Sequence, residues 1–135
     1  MTDVKATVRA FIDTLNRRDW DRFGELFAED ASYTVQGYEL PGAGTMDRET
    51  ALQVLPGLLS LFDEDSPRVE VTHMIAEGSW VLAEAQGTGA FRDGTRYENR
   101  YANVYEVVDG RIRTVREYMD TQHMANLFAA VTAVA

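Results

Sequence analysis

The sequence predicts a single α+β domain in which a bent antiparallel sheet wraps around helices. Apolar residues recur at helical spacing in the first part of the chain, and they alternate with polar residues at strand spacing through much of the second part. An Asp-Gly pair at 109–110 separates two alternating runs, which is typical of a tight hairpin. Helices that precede a run of strands indicate a layer of helices packed on a sheet.

Two helices are predicted at the start of the chain. The first follows a cap at Thr2 or Asp3, and the second is short and follows a cap at Asp19. Each carries an apolar stripe at helical spacing. The stripe residues are Val4, Val8, Phe11, Ile12 and Leu15 in the first helix, and Trp20, Phe23, Leu26 and Phe27 in the second. Together the two helices are expected to cover one side of the sheet.

A third helix is predicted over 47–62 and a last helix after Asp120 or Thr121. Pro56 lies inside the third helix and predicts a kink or a break, because proline removes one backbone donor. The residues 129–135 are predicted to form a frayed or lid-like tail.

Three strands are predicted ahead of the hairpin, with a glycine-rich loop between the first of them and the third helix. The strands span 31–36, 68–76 and 80–90, and the loop spans 37–44. Within the strand at 80–90, Glu84 and Gln86 share one face, where two polar groups interrupt a long strand. This face fits a ligand-binding wall, and it also fits a contact with solvent or with a second subunit.

The hairpin of residues 97–120 allows two registers. A two-residue turn sets Glu117 opposite Ala102, and a three-residue loop with Gly110 in the left-handed conformation sets Glu117 opposite Tyr101. In the second register one face holds Asn99, Tyr101, Asn103, Glu117 and Met119. This mixture suits the wall of a pocket. It also suits a half-solvated sheet whose tyrosines pack across strands, and the residues alone leave both interpretations open.

Composition excludes several classes of function. The net charge of −9 argues against nucleic acid and anionic membranes as partners. The chain has no cysteine and only two histidines, so we expect neither thiolate chemistry nor a metal site, and no cofactor. The stretch Met1 to Ala10 is polar and no apolar run is long enough to span a bilayer, which predicts a cytoplasmic protein without a signal peptide.

Two stretches resemble the nuclear-transport-factor-2-like superfamily, which includes SnoaL-like polyketide cyclases, ketosteroid isomerases and limonene epoxide hydrolases. They are VRAFIDTLNRRDWDRFGELFAEDASY near the start and GTRYENRYANVYEVVDGRIRTVREYMD near the end. The resemblance covers nearly the whole chain. It implies a cone-shaped fold, with a curved sheet closed by helices around a deep and mostly apolar pocket. It also implies a homodimer that pairs through the outer face of the sheet.

The resemblance implies that Glu117 is the catalytic carboxylate, because similar enzymes carry one near the end of the last strand. It thereby favours the register that pairs Glu117 with Tyr101. The chain departs from the ketosteroid isomerases, since Phe11 stands where they carry a tyrosine and Val35 stands where they carry the base.

The chain also departs from the limonene epoxide hydrolases. Their Arg-x-Asp on a middle strand corresponds here to Glu84-Ala85-Gln86, and their last-strand aspartate corresponds to Glu117. The tyrosine of their first-strand Tyr-x-Asn is kept as Tyr33. The SnoaL-like cyclases fit better, because one carboxylate acting as a base is their main requirement.

Two main functions follow from these residues. The first is a cofactor-independent enzyme of isomerase, cyclase or lyase type that acts on a small, mostly apolar carbonyl compound, with Glu117 moving the proton. Substrate contacts are then expected from Tyr33, Glu84, Gln86, Asn99, Tyr101 and Met119. The second is a non-catalytic module of the same fold, with the same pocket, for ligand binding or dimerisation. For Glu117 itself the alternative interpretation is a surface carboxylate paired with an arginine such as Arg100. An epoxide hydrolase is a third possibility.

Overall fold

The computed structural model describes residues 3–132, which form four helices and a six-stranded sheet. In chain order the elements are α1 (Val4–Arg17), α2 (Trp20–Leu26), β1 (Phe27–Val35), β2 (Gly44–Asp47), α3 (Arg48–Leu59), β3 (Arg68–Glu77), β4 (Trp80–Ala90), β5 (Arg96–Val108), β6 (Arg111–Glu117) and α4 (Thr121–Thr132). The predicted α+β class is confirmed. The short strand β2 was not predicted, since four residues within a glycine-rich stretch are too few to show alternation.

The sheet is open, with strand order β2-β1-β6-β5-β4-β3. The strands β6, β5, β4 and β3 are antiparallel neighbours, as predicted. The pairing of β1 with β6 is parallel, so the sheet is mixed and not wholly antiparallel. These two strands are far apart in the sequence, and no turn between them sets their relative direction.

A two-residue turn forms the β5–β6 hairpin. Both turn residues have positive φ, 52° at Asp109 and 74° at Gly110, as a type I′ turn requires. The next residues of β6 contain a β-bulge, so the strand has one extra residue before Thr114 pairs with Glu106.

The bulge shifts the rest of β6 by one residue. Because Arg116 pairs with Val104 and Met119 with Tyr101, Glu117 lies beside Asn103. Both pairings predicted for Glu117, with Ala102 and with Tyr101, are therefore wrong. The extra residue could not be predicted from the turn, since it adds no local signal of its own.

Aromatic packing between the helices and the inner face of the sheet forms the main core. The ring of Phe11 on α1 stacks on that of Phe23 on α2, with centroids 4.7 Å apart, and Phe27 packs against both. A second cluster surrounds the stacked rings of Phe62 and Phe91, whose centroids are 4.3 Å apart. These two clusters hold the helices over the sheet and leave a cavity between them.

The helix caps follow the prediction closely. Asp3 and Asp19 accept the backbone N–H groups of α1 and α2, and Asp120 accepts the N–H of His123 at 3.0 Å. The helix α3 continues through Pro56 without a break and ends at Leu59. Residues 129–132 belong to α4, which corrects the predicted tail; Thr2 and the last three residues lie outside the described residues.

None of the helices between residues 3 and 132 is long and apolar enough to cross a membrane. On the outer face of the sheet, Ile75 and Trp80 are exposed apolar residues. The homodimer through this face and the cytoplasmic location stay predictions.

Candidate active site

A cavity of about 240 Å³ lies between the inner face of the sheet and the helices α1, α3 and α4. Its helical walls are mainly aliphatic and aromatic. The sheet contributes most of its polar groups, which come from Tyr33, Tyr97, Tyr101, Asn103, Tyr105 and Glu117. Among the described residues that line it, only Glu117 and Arg18 are charged. An apolar cavity with few polar groups is typical of a small-molecule site.

Glu117 is the last residue of β6 and lines the cavity from the sheet. Its neighbour on β1 is Val35, and the hydroxyl of Tyr33 donates a hydrogen bond to Glu117 Oε1 at 3.4 Å. Burial raises the pKa of the Glu117 carboxyl to about 7, and the bond from Tyr33 acts in the opposite direction. Within residues 3–132 Glu117 makes no ion pair, and Arg100 is exposed on the neighbouring strand.

Three further tyrosines from β5 line the cavity. The hydroxyls of Tyr97 and Tyr101 are hydrogen-bonded to each other, and Asn103 Nδ2 donates to the Tyr105 hydroxyl at 3.5 Å. Burial raises the pKa of Tyr97 to about 12, and it raises the pKa values of Tyr101 and Tyr105 well above their usual range. These phenols therefore stay protonated at neutral pH and can donate hydrogen bonds to a ligand.

The tyrosine pair needs the absence of a side chain at Gly87 on β4. A Cβ placed there would lie 2.9 Å from Tyr101 Cε2, 3.2 Å from the Tyr101 hydroxyl and 3.3 Å from Tyr97 Cε2. The glycine lets the Tyr101 ring approach the strand closely, with its hydroxyl beside that of Tyr97.

The structure brings Glu117, Tyr33, Tyr101 and Met119 together around the cavity. Asn99 does not join them. It is buried, its Oδ1 accepts the N–H of Arg100 at 2.9 Å, and its amide lies against the sulfurs of Met119 and Met124. The prediction that Asn99 donates to a ligand is therefore corrected. Asn99 instead packs against Met119 and Met124, which line the cavity.

Glu84 and Gln86 are exposed on the outer face of β4 and do not line the cavity. The inner face of this strand carries Ala83, Ala85 and Gly87. The alternation was predicted correctly, but it could not tell which face points inward. Small residues face inward because the tyrosines of β5 fill the space beside them. The prediction that Glu84 and Gln86 orient Glu117 or a ligand is wrong.

Five polar residues of the cavity were not predicted as substrate contacts: Asn16, Arg18, Tyr97, Asn103 and Tyr105. Asn103 and Tyr105 were on the predicted face of β5, and their alternation with Tyr101 was the signal. Arg18 follows the last residue of α1, where a basic side chain is ordinary, so nothing marked it as a cavity residue.

No three His, Cys, Asp or Glu side chains within residues 3–132 are grouped as metal ligands would be. The side chains that line the cavity themselves offer one carboxyl of raised pKa, that of Glu117, and several phenol groups that can donate hydrogen bonds.

The family model of the SnoaL-like domain matches residues 8–115. The chain belongs to this family. Its fold is shared with solved proteins of low sequence identity, as three of them illustrate. An NTF2-like protein of Burkholderia pseudomallei K96243 is 20% identical, with 94% of this chain and 98% of that chain covered and a TM-score of 0.80.

Two of these relatives have names that indicate an activity. IdmH of Streptomyces antibioticus, a candidate polyketide cyclase, is 22% identical with a TM-score of 0.76, and the match covers 95% of this chain and 99% of that chain. An epoxide hydrolase of the limonene-epoxide-hydrolase type from Mycobacterium tuberculosis is 23% identical with a TM-score of 0.70, and the match covers 97% and 94%. At these identities the likeness establishes the fold of this SnoaL-like protein.

Proposed function

We propose that this SnoaL-like protein is a cofactor-independent acid–base enzyme of isomerase, cyclase or lyase type, acting on a small and mostly apolar carbonyl compound. One observation carries the proposal. The carboxyl of Glu117 lies in a largely apolar cavity, is held by the hydroxyl of Tyr33, and has a pKa raised to about 7. A carboxyl with such a pKa can both accept and return a proton near neutral pH.

Glu117 acts first as the base. Its carboxylate takes a proton from the carbon next to the substrate carbonyl, and the electron pair of that C–H bond moves toward the carbonyl oxygen to give an enolate. In an isomerisation, the protonated Glu117 returns the proton to a different carbon. In a cyclisation, the enolate carbon attacks a second carbonyl, and the proton goes to the new alkoxide. Neither route consumes a co-reactant.

The tyrosines stabilise the enolate oxygen. Tyr97 and Tyr101 together carry two hydroxyl hydrogens, and their mutual bond uses one of them. The other can be donated to the substrate oxygen. Tyr105 accepts from Asn103, so its own hydrogen is also available. Donors that are fixed before the reaction are worth more in an apolar cavity than in water.

The name of IdmH supports a cyclase as one form of this chemistry. An epoxide hydrolase is less well supported, because Glu84 and Gln86, the residues at the positions of the Arg-x-Asp motif, are exposed outside the cavity. A non-catalytic binding module would have the same cavity, so the next experiment is designed to distinguish it from an enzyme.

Exchange of carbon-bound protons tests the proposal without knowledge of the natural substrate. A panel of ketones that includes 2-tetralone is incubated with the protein in D2O, and loss of the proton next to the carbonyl is followed by NMR. We expect the wild-type protein to accelerate exchange above the buffer rate. Glu117→Gln should lower this acceleration by roughly 10²- to 10⁴-fold, because the base is removed while the shape is kept.

Glu84→Gln is the matched control, since it removes the same charge from the exposed face of β4. It should leave the exchange rate unchanged. Equal acceleration by Glu117→Gln and the wild type would exclude Glu117 as the base. Ketones that bind the wild-type protein without any exchange would instead support the non-catalytic module.

A further inference from the structure

Arg18 is the second charged residue of the cavity, and it is held firmly. It follows α1 with a left-handed backbone, φ 56°. Its Nη1 donates to the carbonyl of Leu15 at 2.6 Å, and its Nη2 donates to the carbonyl of Ser66. The side chain thus ties the end of α1 to the segment that precedes β3.

The guanidinium of Arg18 has no carboxylate in contact among residues 3–132. The side chain is partly buried, and this burial lowers its pKa, an effect that the more distant Asp65 partly offsets. The two backbone carbonyls satisfy only some of its N–H groups. A partly desolvated cation therefore lies at the cavity wall with donors that no described side chain uses.

Arg18 and Glu117 line the cavity beside different strands of the sheet. Ser66, which binds Arg18, is two residues before β3, whereas Glu117 ends β6. The strands β5 and β4 lie between β6 and β3. Three strand spacings amount to about 14 Å along the sheet.

We propose that Arg18 binds a carboxylate of the substrate, so that the substrate is an elongated and mostly apolar keto acid. The assignment of a carbonyl group to this substrate rests on the proposed function of Glu117. A guanidinium binds a carboxylate through two parallel N–H···O bonds, which fixes its orientation as well as its position. The charge of Glu117 repels the substrate carboxylate from the part of the cavity next to Glu117. The carboxylate end of the substrate therefore binds at Arg18, and its carbonyl end binds at Glu117.

A matched pair of probes tests this assignment. Binding of 2-naphthoate and of 2-naphthamide is measured by calorimetry; the two have the same shape, and only the first is charged. Wild-type protein should bind 2-naphthoate about tenfold more tightly, as one charge-assisted bond would provide. Arg18→Gln should remove this preference and leave the affinity for 2-naphthamide within about twofold.

Arg17→Gln is the control for net charge. Arg17 is exposed, pairs with Asp13, and does not line the cavity, so its loss should preserve the preference for 2-naphthoate. Arg18→Lys keeps the charge without the paired donors and should retain only part of the preference. Equal losses in Arg17→Gln and Arg18→Gln would overturn the proposal, since a general field effect would then explain them.

Arg18 also holds the end of α1, so Arg18→Gln could unfold the chain. The wild-type protein then provides the test by itself: 2-naphthoate should shift the Nε resonance of Arg18 in a saturable manner, and 2-naphthamide should not. No shift, or no preference for the charged probe, would overturn the assignment. These binding measurements need no turnover. A negative result for Arg18 therefore does not affect the exchange result for Glu117, and a negative exchange result does not affect the binding result for Arg18.

Discussion

Glu117 illustrates at the scale of one residue how burial creates reactivity. The carboxyl has an ordinary pKa of 4.5, which the apolar cavity raises to about 7. Keeping it ionised in the folded chain therefore costs about 3 kcal/mol. The folded chain holds this proton more tightly than the unfolded chain does. The contribution of the protonated Glu117 carboxyl to the free energy of unfolding is consequently present below pH 4.5 and is lost as the pH rises through about 7.

This linkage predicts the effect of Glu117→Gln on stability. At pH 8 the variant should have a larger free energy of unfolding than the wild type, by up to about 3 kcal/mol, because it carries no buried charge. At pH 4 the two proteins should be nearly equal. Urea denaturation at both pH values measures the difference. Glu84→Gln should change little, because this side chain is exposed; a difference for Glu117→Gln that is the same at both pH values would contradict the linkage.

At the scale of the elements, local departures from regular strand structure position the reactive side chains of the cavity. The bulge in β6 sets Glu117 beside Asn103, and Gly87 makes room on β4 for the Tyr97–Tyr101 pair. The sequence predicted the Asp109-Gly110 turn, because a type I′ turn has its own residue preference. It did not predict the bulge, since that depends on how both strands pack against the helices.

Gly87→Ala tests the role of the space beside Tyr101. The new methyl group would be 2.9 Å from the ring, so the ring must move. We expect the free energy of unfolding to fall by about 1–3 kcal/mol, and the exchange rate on ketones to fall with it as the tyrosine pair separates. Gly57→Ala is the control, because a Cβ at that position in α3 meets no atom within 4 Å apart from its chain neighbours and the nearby backbone of the helix itself. Unchanged exchange in a folded Gly87→Ala protein would show that the pair takes no part in the reaction.

At the scale of the whole molecule, the order of the layers could be predicted and the contents of the cavity only in part. The change from helical to alternating periodicity predicts helices over a sheet. Which face of a strand points inward is decided by the partners it meets, so Glu84 and Gln86 were assigned to the wrong side. Arg18 was missed for the same reason, because its place on the cavity wall depends on Ser66, far along the chain.

If Glu117 is the base, it must hold a proton near neutral pH inside the cavity, and a titration of this carboxyl decides whether it does. The ¹³C resonance of the Glu117 carboxyl, assigned by comparison with Glu117→Gln, would be followed as the pH of the wild-type protein is varied. We expect a midpoint of about 7. A midpoint near 4.5, the ordinary value for this side chain, would contradict it and leave the proposed proton transfer without its base.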